Sequence, residues 1–421
     1  MTSFWRIFWL ELVTVVRTRT LTLLLLGSVA WMFVAPLLFT GDGTPGGARE
    51  LSVRYSLGGV AALAAVSLLM SAAGSVSSDR ASRRLQLTLV RPVRPFVIAL
   101  GRIAALTATG ALVIVVAAAI ELARSDDRPC RHILRPVLPS PMEEAEEMYK
   151  VYMANPQTPE VVRRTKKSVI LDLLAQRAID HYATIGTNTV FSLQFPAAEV
   201  AAGESLAVRL RLTNVYEMRD DVCGVLRYGD WSATVSNMTQ SVLELPLSRT
   251  AADGAPADRL SFHNLGRRNL MLRPRRDIEV LAQADAFGWN LLRASVQLVA
   301  LLGMLISFGV FLGSALGRPT ALFTALVVLL LSEMTPSVVE LCPPDLNTKG
   351  ADAIGLQLTR FAAAATHPVS SVTPMTALSL DECIERSDAA RTAALGLVVF
   401  PMLFAALSAA VMRRKQEGGA A

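Results

Sequence analysis

Apolar residues along this chain follow two rhythms, and the change between them divides it. Over residues 21–40, 57–76, 97–122, 291–316, 320–334 and 392–412 they form near-continuous runs. About 20 apolar residues in a helix cross the roughly 30 Å of hydrocarbon in a bilayer, so the runs predict six spans. Gly41 to Gly47 makes a short loop between the first two, and Gly317-Arg318-Pro319 a tight turn between the fourth and fifth. The third run is rich in Ala and Gly, which suits close helix–helix packing. Ahead of the first run, Phe4, Trp5, Phe8, Trp9, Leu12 and Val16 recur at helical spacing, with Arg6 and Glu11 elsewhere on the wheel. That pattern predicts a helix over 1–16 lying in the membrane plane. A signal peptide is not expected: Glu11, Arg17 and Arg19 interrupt any short apolar core, and the run that follows is of span length.

Between residues 123 and 287 the runs stop. The rhythm there is first helical, giving a helix over 141–154 and another opening at Thr158-Pro159-Glu160, where Thr caps and Pro takes the first helical position. After Ile185 the period becomes two. Phe191, Leu193 and Phe195 alternate with polar residues, as do Leu206, Val208, Leu210 and Leu212 around Arg209 and Arg211, and as do Leu243, Leu245 and Leu247. Shorter segments follow at 270–272 and 278–281. Short alternating strands joined by Gly, Asp and Asn turns predict a β-sandwich. The expected fold class is therefore a polytopic α-helical membrane protein of six transmembrane helices with an inserted α+β domain, helical first and β-sandwich-like after. The expected domains are 1–122, 123–287 and 288–421, the last with a loop at 336–388 containing an apolar stretch at 351–365.

Composition agrees. Of 421 residues 52% are hydrophobic and 18% charged, with a mean hydropathy of +0.42, too apolar for a soluble chain of this size. The formal charge of +6 comes from arginines at the ends of the runs. No basic patch is interleaved with stacking aromatics, so nucleic acid is not an expected partner. Motifs of chemistry are missing. There is no GxxxxGK[ST] loop to cradle a nucleotide, no HExxH, and no GxSxG with a triad, so an enzyme is not expected. His132, His181, His263 and His367 lie outside the runs without ligand spacing, and Cys130-Arg131-His132 reads as a disulfide cysteine beside a surface histidine more than as a metal fragment. Glu121, Arg293 and Glu333 sit near the ends of runs. Ionisable groups inside a membrane are functional candidates by default, but at the boundary they snorkel to the interface. Pairing of Glu121 with Arg293 is geometrically open.

The densest signal is residues 77–102, SSDRASRRLQLTLVRPVRPFVIALGR. It carries Arg80, Arg83, Arg84, Arg91, Arg94 and Arg102 against a single acid, Asp79. A short loop so rich in arginine resists translocation and belongs on the cytoplasmic side. Leu85, Leu87 and Leu89 alternate with polar groups, and Pro92 and Pro95 disfavour helix just before them, which predicts a short helix, a break and a new helix. The run Arg83 to Arg102, with Thr88-Leu89, then Arg91-Pro92-Val93, then Gly101-Arg102 in the next span, resembles the cytoplasmic loop of ABC transporter permeases of the type-2 exporter class. The likeness covers about the first 125 residues, and the middle of the chain departs from the simplest members of that family.

The resemblance implies a permease subunit in a bacterial inner membrane that exports a substrate, working as a homodimer or a heterodimer with a second permease. It implies a separate ABC ATP-binding subunit holding ATP and Mg, with no cofactor bound by this chain. Arg83, Arg84, Leu85, Leu87, Leu89, Arg91 and Arg94 would form the coupling helix and its contacts with that subunit. With both termini cytoplasmic, parity places 123–287 outside. All four cysteines then face an oxidising compartment, two per outer segment, which predicts disulfides Cys130–Cys223 and Cys342–Cys383. The alternative is a membrane-anchored scaffold or receptor whose outer β-domain binds a partner without transport. Six spans exceed what an anchor needs.

Overall fold

The computed structural model describes residues 2–39, 45–81, 94–124, 129–155, 165–179, 181–196, 206–214, 221–238, 242–249, 258–328 and 374–417. The chain divides into two compact units, Met1–Arg128 together with Ala286–Ala421, and Pro129–Asp285. The first unit opens with α1 (Thr2–Arg17), α2 (Thr20–Leu38), α3 (Pro45–Ala81) and α4 (Pro95–Arg124). The break between α1 and α2 is made by Arg19, whose left-handed φ of 59° turns the chain. Both α3 and α4 start on a proline, whose missing N–H costs nothing in a first turn.

The second unit begins with β1 (Pro129–Leu134), then α5 (Pro141–Ala154) and α6 (Lys167–Ile179). Ser140 starts α5 with a capping box: its hydroxyl accepts from the Glu143 N–H at 3.1 Å, and its own N–H donates to the Glu143 carboxylate at 2.9 Å. The strands follow: β2 (Ala183–Ile185), β3 (Val190–Gln194), β4 (Leu206–Arg211), β5 (Thr213–Asn214), β6 (Asp221–Tyr228), β7 (Trp231–Met238), β8 (Val242–Arg249), β9 (Arg259–Asn264), β10 (Leu270–Leu272) and β11 (Ile278–Ala286). Seven of them join β1 in one sheet, in the order β1-β11-β4-β8-β7-β6-β9-β3, and β2-β10-β5 form a second. The large sheet curls on itself. Just past β1 at one edge, the Val137 N–H donates to Gln194 O on β3 at the other edge, at 2.8 Å, so neither edge is left fully open.

Alternation decides which residues enter this unit's core. Leu206, Val208, Leu210 and Leu212 are buried together with Phe195, Leu226 and Phe262. On the opposite face of β4, Arg209 sits between Glu279 of β11 (3.5 Å) and Glu244 of β8 (3.7 Å). Arg131 of β1 also binds Glu244, and Arg135 lies 3.7 Å from Glu279. Charges of alternating sign across register-matched strands form a ladder that marks the wet side. Asn264, fully buried, ties the two sheets: its amide donates to Gly186 O and Arg268 O, and its oxygen accepts from the Gly266 N–H.

The order of elements corrects one expectation. A strand, β1, precedes the helices, because Pro129–Leu134 is claimed by β11, which arrives only at the end of the unit. The second helix is described over Lys167–Ile179, and Thr158-Pro159-Glu160 lies outside the described residues.

The first unit resumes with α7 (Phe287–Ala315), α8 (Arg318–Val328), α9 (Pro374–Ser379), α10 (Arg386–Ala394), a π-turn (Leu395–Val399) and α11 (Phe400–Glu417). Among the described residues, five stretches are helical, long and apolar enough to cross a membrane: Thr20–Leu38, Leu51–Ser77, Pro95–Arg124, Phe287–Ala315 and Arg386–Arg414. Of the fifth expected span, 320–334, the described part belongs to the short apolar helix Arg318–Val328. Residues 329–334 lie outside the described residues. The most enclosed span is α7, with 67% of its apolar window buried against 22% for α2. Glycines let its neighbours close in. A Cβ on Gly110 of α4 would meet Leu68 of α3 at 2.9 Å and Leu302 of α7 at 3.1 Å, so three helices meet there.

Candidate functional site

The arginine-rich connection joins α3 to α4. Arg83, Arg84, Leu85, Leu87, Leu89 and Arg91 lie outside the described residues, so the structure describes what holds the connection and not its own course. Arg94 is exposed, and its carbonyl accepts the Val97 N–H at 2.9 Å, opening α4. Two turns further, Arg102 is buried, and its Nε lies 3.7 Å from the carboxylate of Glu11 on α1. Beside this pair, a Cβ on Gly101 would meet the Ile7 side chain at 2.8 Å, which brings α1 close to α4. Val15, one turn beyond Glu11, inserts into the helical core. Thus α1 is pinned at three levels, immediately after the arginine connection returns to the bundle. The sequence reading placed Arg102 among the loop arginines and Glu11 on the polar side of the wheel. It missed that the two meet, since nothing local joins residues so far apart.

The far ends of these helices carry a second polar set. Pro36 inside α2 has no N–H, which leaves the carbonyl of Met32, four residues earlier, without its helical donor. Arg124, the last residue of α4, donates to that Met32 O at 2.7 Å, and its guanidinium lies 4.5 Å above the ring of Phe33. Trp31 donates its indole N–H to Tyr55 O of α3 at 2.9 Å, an approach that only a glycine at 59 permits, since a Cβ there would fall on the indole. Glu121 is buried rather than snorkelled, with Ser56 Oγ donating to it at 3.5 Å.

At the start of α7, Asn290 uses both halves of its amide. It donates to Glu382 O at 2.7 Å and accepts the Ile384 N–H at 2.8 Å, taking the place of a neighbouring strand's backbone. Arg293 donates to Ile384 O at 3.1 Å and approaches Cys383 Sγ at 3.3 Å. The segment 374–385 is thereby fastened to α7. Glu333 lies outside the described residues.

Cys130 is buried on β1, whereas Cys223 is exposed on β6 with a free thiol. Four strands stand between β1 and β6 in the sheet, so the structure does not form the expected Cys130–Cys223 disulfide. The pairing rested on counting cysteines per segment, which carries no information on strand order. Cys342 lies outside the described residues, and with it the expected Cys342–Cys383 bond. Among the described residues no three His, Cys, Asp or Glu side chains gather as a metal site, and His132 is exposed while Cys130 points inward. Compared with protein-family models, with curated proteins and with solved structures, the chain matches none.

Proposed function

We propose that the chain is the permease subunit of an ATP-driven ABC exporter, coupling ATP hydrolysis on a separate subunit to movement of a substrate across a bacterial inner membrane. The subunit pairs with a second permease, identical or not, and ATP and Mg stay on the ATPase. What carries this reading is the pinned return of the arginine connection. A loop that transmits force must be fixed to the helices that move, and α4 re-enters the bundle locked to α1 through Arg102–Glu11 and Gly101–Ile7. The same α4 touches α3 and α7 at Gly110, so displacement of the loop passes directly to the most enclosed helix. The extracytoplasmic placement of Pro129–Asp285 belongs to the same proposal, since an arginine-rich connection held inside sets the parity of all that follows.

The test is Leu87→Asp. On this reading Leu87 fills an apolar groove on the ATPase, and an unpaired carboxylate buried there costs several kcal/mol, on the order of 2–7. Co-purification of the ATPase and its ATP turnover in membranes should both be lost, with the permease inserted at normal abundance. An ATPase that binds Leu87→Asp as well as wild type would refute the coupling role and leave the loop a topology signal. The scaffold reading would then explain the outer β-rich unit better.

A further inference from the structure

The packing of α1 against α4 fixes more than its position. With Glu11 drawn to Arg102, Ile7 against Gly101 and Val15 in the core, the helix cannot roll about its axis, so its outward face is determined. On that face Trp5, Trp9 and Val16 are exposed, at the i, i+4, i+11 spacing of a single strip. Beside the strip lie Arg6 and Arg17, both exposed, with the exposed Leu10 and the half-buried Val13 between them. Eleven residues return a helix to within about 20° of the same direction, so the Cα atoms of Arg6 and Arg17 lie on one row roughly 16 Å apart along the axis. Arg19 follows at once in its left-handed turn, also exposed.

Charge on this surface has one sign. Glu11 is the only acid in the first forty residues, and it is turned inward onto a buried arginine. The outward face therefore offers tryptophans and aliphatic side chains bounded by Arg6, Arg17 and Arg19, with nothing to repel an anion. Arginine stems can lie along apolar surface while their heads reach outward, and tryptophan prefers the depth where acyl chain meets headgroup. Apolar side chains between the arginines exclude a purely polar partner.

We propose that the outward face of α1 is a binding surface for the headgroups of anionic phospholipids, held by Arg6, Arg17 and Arg19 with Trp5 and Trp9 seated beneath. This goes beyond the transport reading and does not depend on it; it needs only that the helical unit sits in a bilayer.

The experiment reconstitutes the full chain into phosphatidylcholine vesicles containing phosphatidylglycerol, with bromine on the acyl chains of one lipid or the other. The Trp5 and Trp9 signal is the fluorescence of wild type minus that of a Trp5→Phe/Trp9→Phe variant. Brominated phosphatidylglycerol should quench this signal beyond its share of the bilayer, by roughly fivefold for each arginine engaged at low salt. High salt should remove the excess, since exposed charges are screened within a Debye length of roughly 8–10 Å near physiological salt. Arg6→Gln/Arg17→Gln/Arg19→Gln should bring the preference close to one, while Arg6→Lys/Arg17→Lys/Arg19→Lys should keep most of it. Quenching by brominated phosphatidylcholine reports whether the helix still lies at the interface in each variant. Equal quenching by the two lipids in wild type, or a preference that survives the triple glutamine variant, would overturn the proposal. So would a glutamine variant that keeps its lipid preference and loses a bound protein instead.

Discussion

Pro36 and Arg124 should be energetically coupled across two helices, and a double-mutant cycle can measure it. Proline at 36 removes the donor for Met32 O, and Arg124 supplies a replacement at 2.7 Å from a different helix. Its guanidinium also lies over Phe33, at 4.5 Å from the ring centre. In wild type, Arg124→Ala should lose both contacts. A hydrogen bond between membrane helices is worth about 0.6 kcal/mol on average and up to about 1.7. The cation–π contact at an exposed ring adds about 0.5–1 kcal/mol. In a Pro36→Ala background the alanine N–H can satisfy Met32 O within the helix, so Arg124→Ala should lose only the second term. The expected coupling is thus about 1 kcal/mol, with each variant followed by unfolding in mixed micelles at rising SDS fraction. Independent sites add to within about 0.3–0.5 kcal/mol. A cycle that closes inside that margin would show that the freed carbonyl is satisfied some other way, and Arg124 would be only a charge at a helix end.

Three further outcomes follow from named contacts. Asn290→Ala should leave the backbone at Glu382 and Ile384 short of its amide partner in a buried place, at a cost of about 1–3 kcal/mol per lost bond; limited proteolysis of the whole chain should then open within 374–385, and an unchanged pattern would mean the segment is held elsewhere. The Glu143 carboxyl is held below the ordinary carboxylate range, first by the Ser140 N–H and second by the Ser140 hydroxyl. A lowered folded pKa stabilises the start of α5 at pH above the unfolded value, and the effect is lost as pH falls through the folded one. In NMR titration, Ser140→Ala should return only the smaller part of the shift, because its backbone N–H remains. Cys223 should react with a maleimide in the intact chain without reductant; finding it in a disulfide with Cys130 by mass spectrometry would contradict the strand order.

Much of this architecture is written locally. The apolar runs needed only length to be recognised, and the span starts at Pro95 and Phe287 fall within a few residues of where the runs begin. Leu206, Val208, Leu210 and Leu212 announce a half-buried strand because a period of two is a property of one strand alone. What could not be seen is what depends on distant partners. Pro129–Leu134 has no alternation, and its place as a strand is set by β11, about 150 residues on. Glu11 read as an ordinary polar position until Arg102 met it. The same holds for Pro36, whose vacancy is repaired from the end of α4. In the candidate site the legible part was the loop's arginines, and the illegible part was the lock that holds its return.

That division has a physical source in the bilayer itself. Lipid tails are as apolar as leucine, so hydrophobicity tells a helix to enter a membrane and leaves open which helix it should touch. The choice falls to small residues and to the few polar groups. On α7, a Cβ at Gly309 would meet Ala72 at 2.9 Å, and one at Gly313 would strike the backbone of Ala73, so the seam with α3 is backbone against side chain of the smallest kind. On its other side Gly303 would press on Gly396 O at 2.7 Å, inside the π-turn Leu395–Val399 of the last span. There the Phe400 N–H reaches back five residues to Leu395 O, a widened turn that carries Gly396 up to Ala300 and Gly303. Polar groups then fix the register that small residues only permit. Asn290 and Arg293 hold 374–385 at the head of α7, and Arg124 and Trp31 hold α2 at the ends of α4 and α3. Such groups are too few to drive insertion and too specific to be exchanged, which is why the identity of α7 as the axis of the helical unit emerges only from the assembled fold.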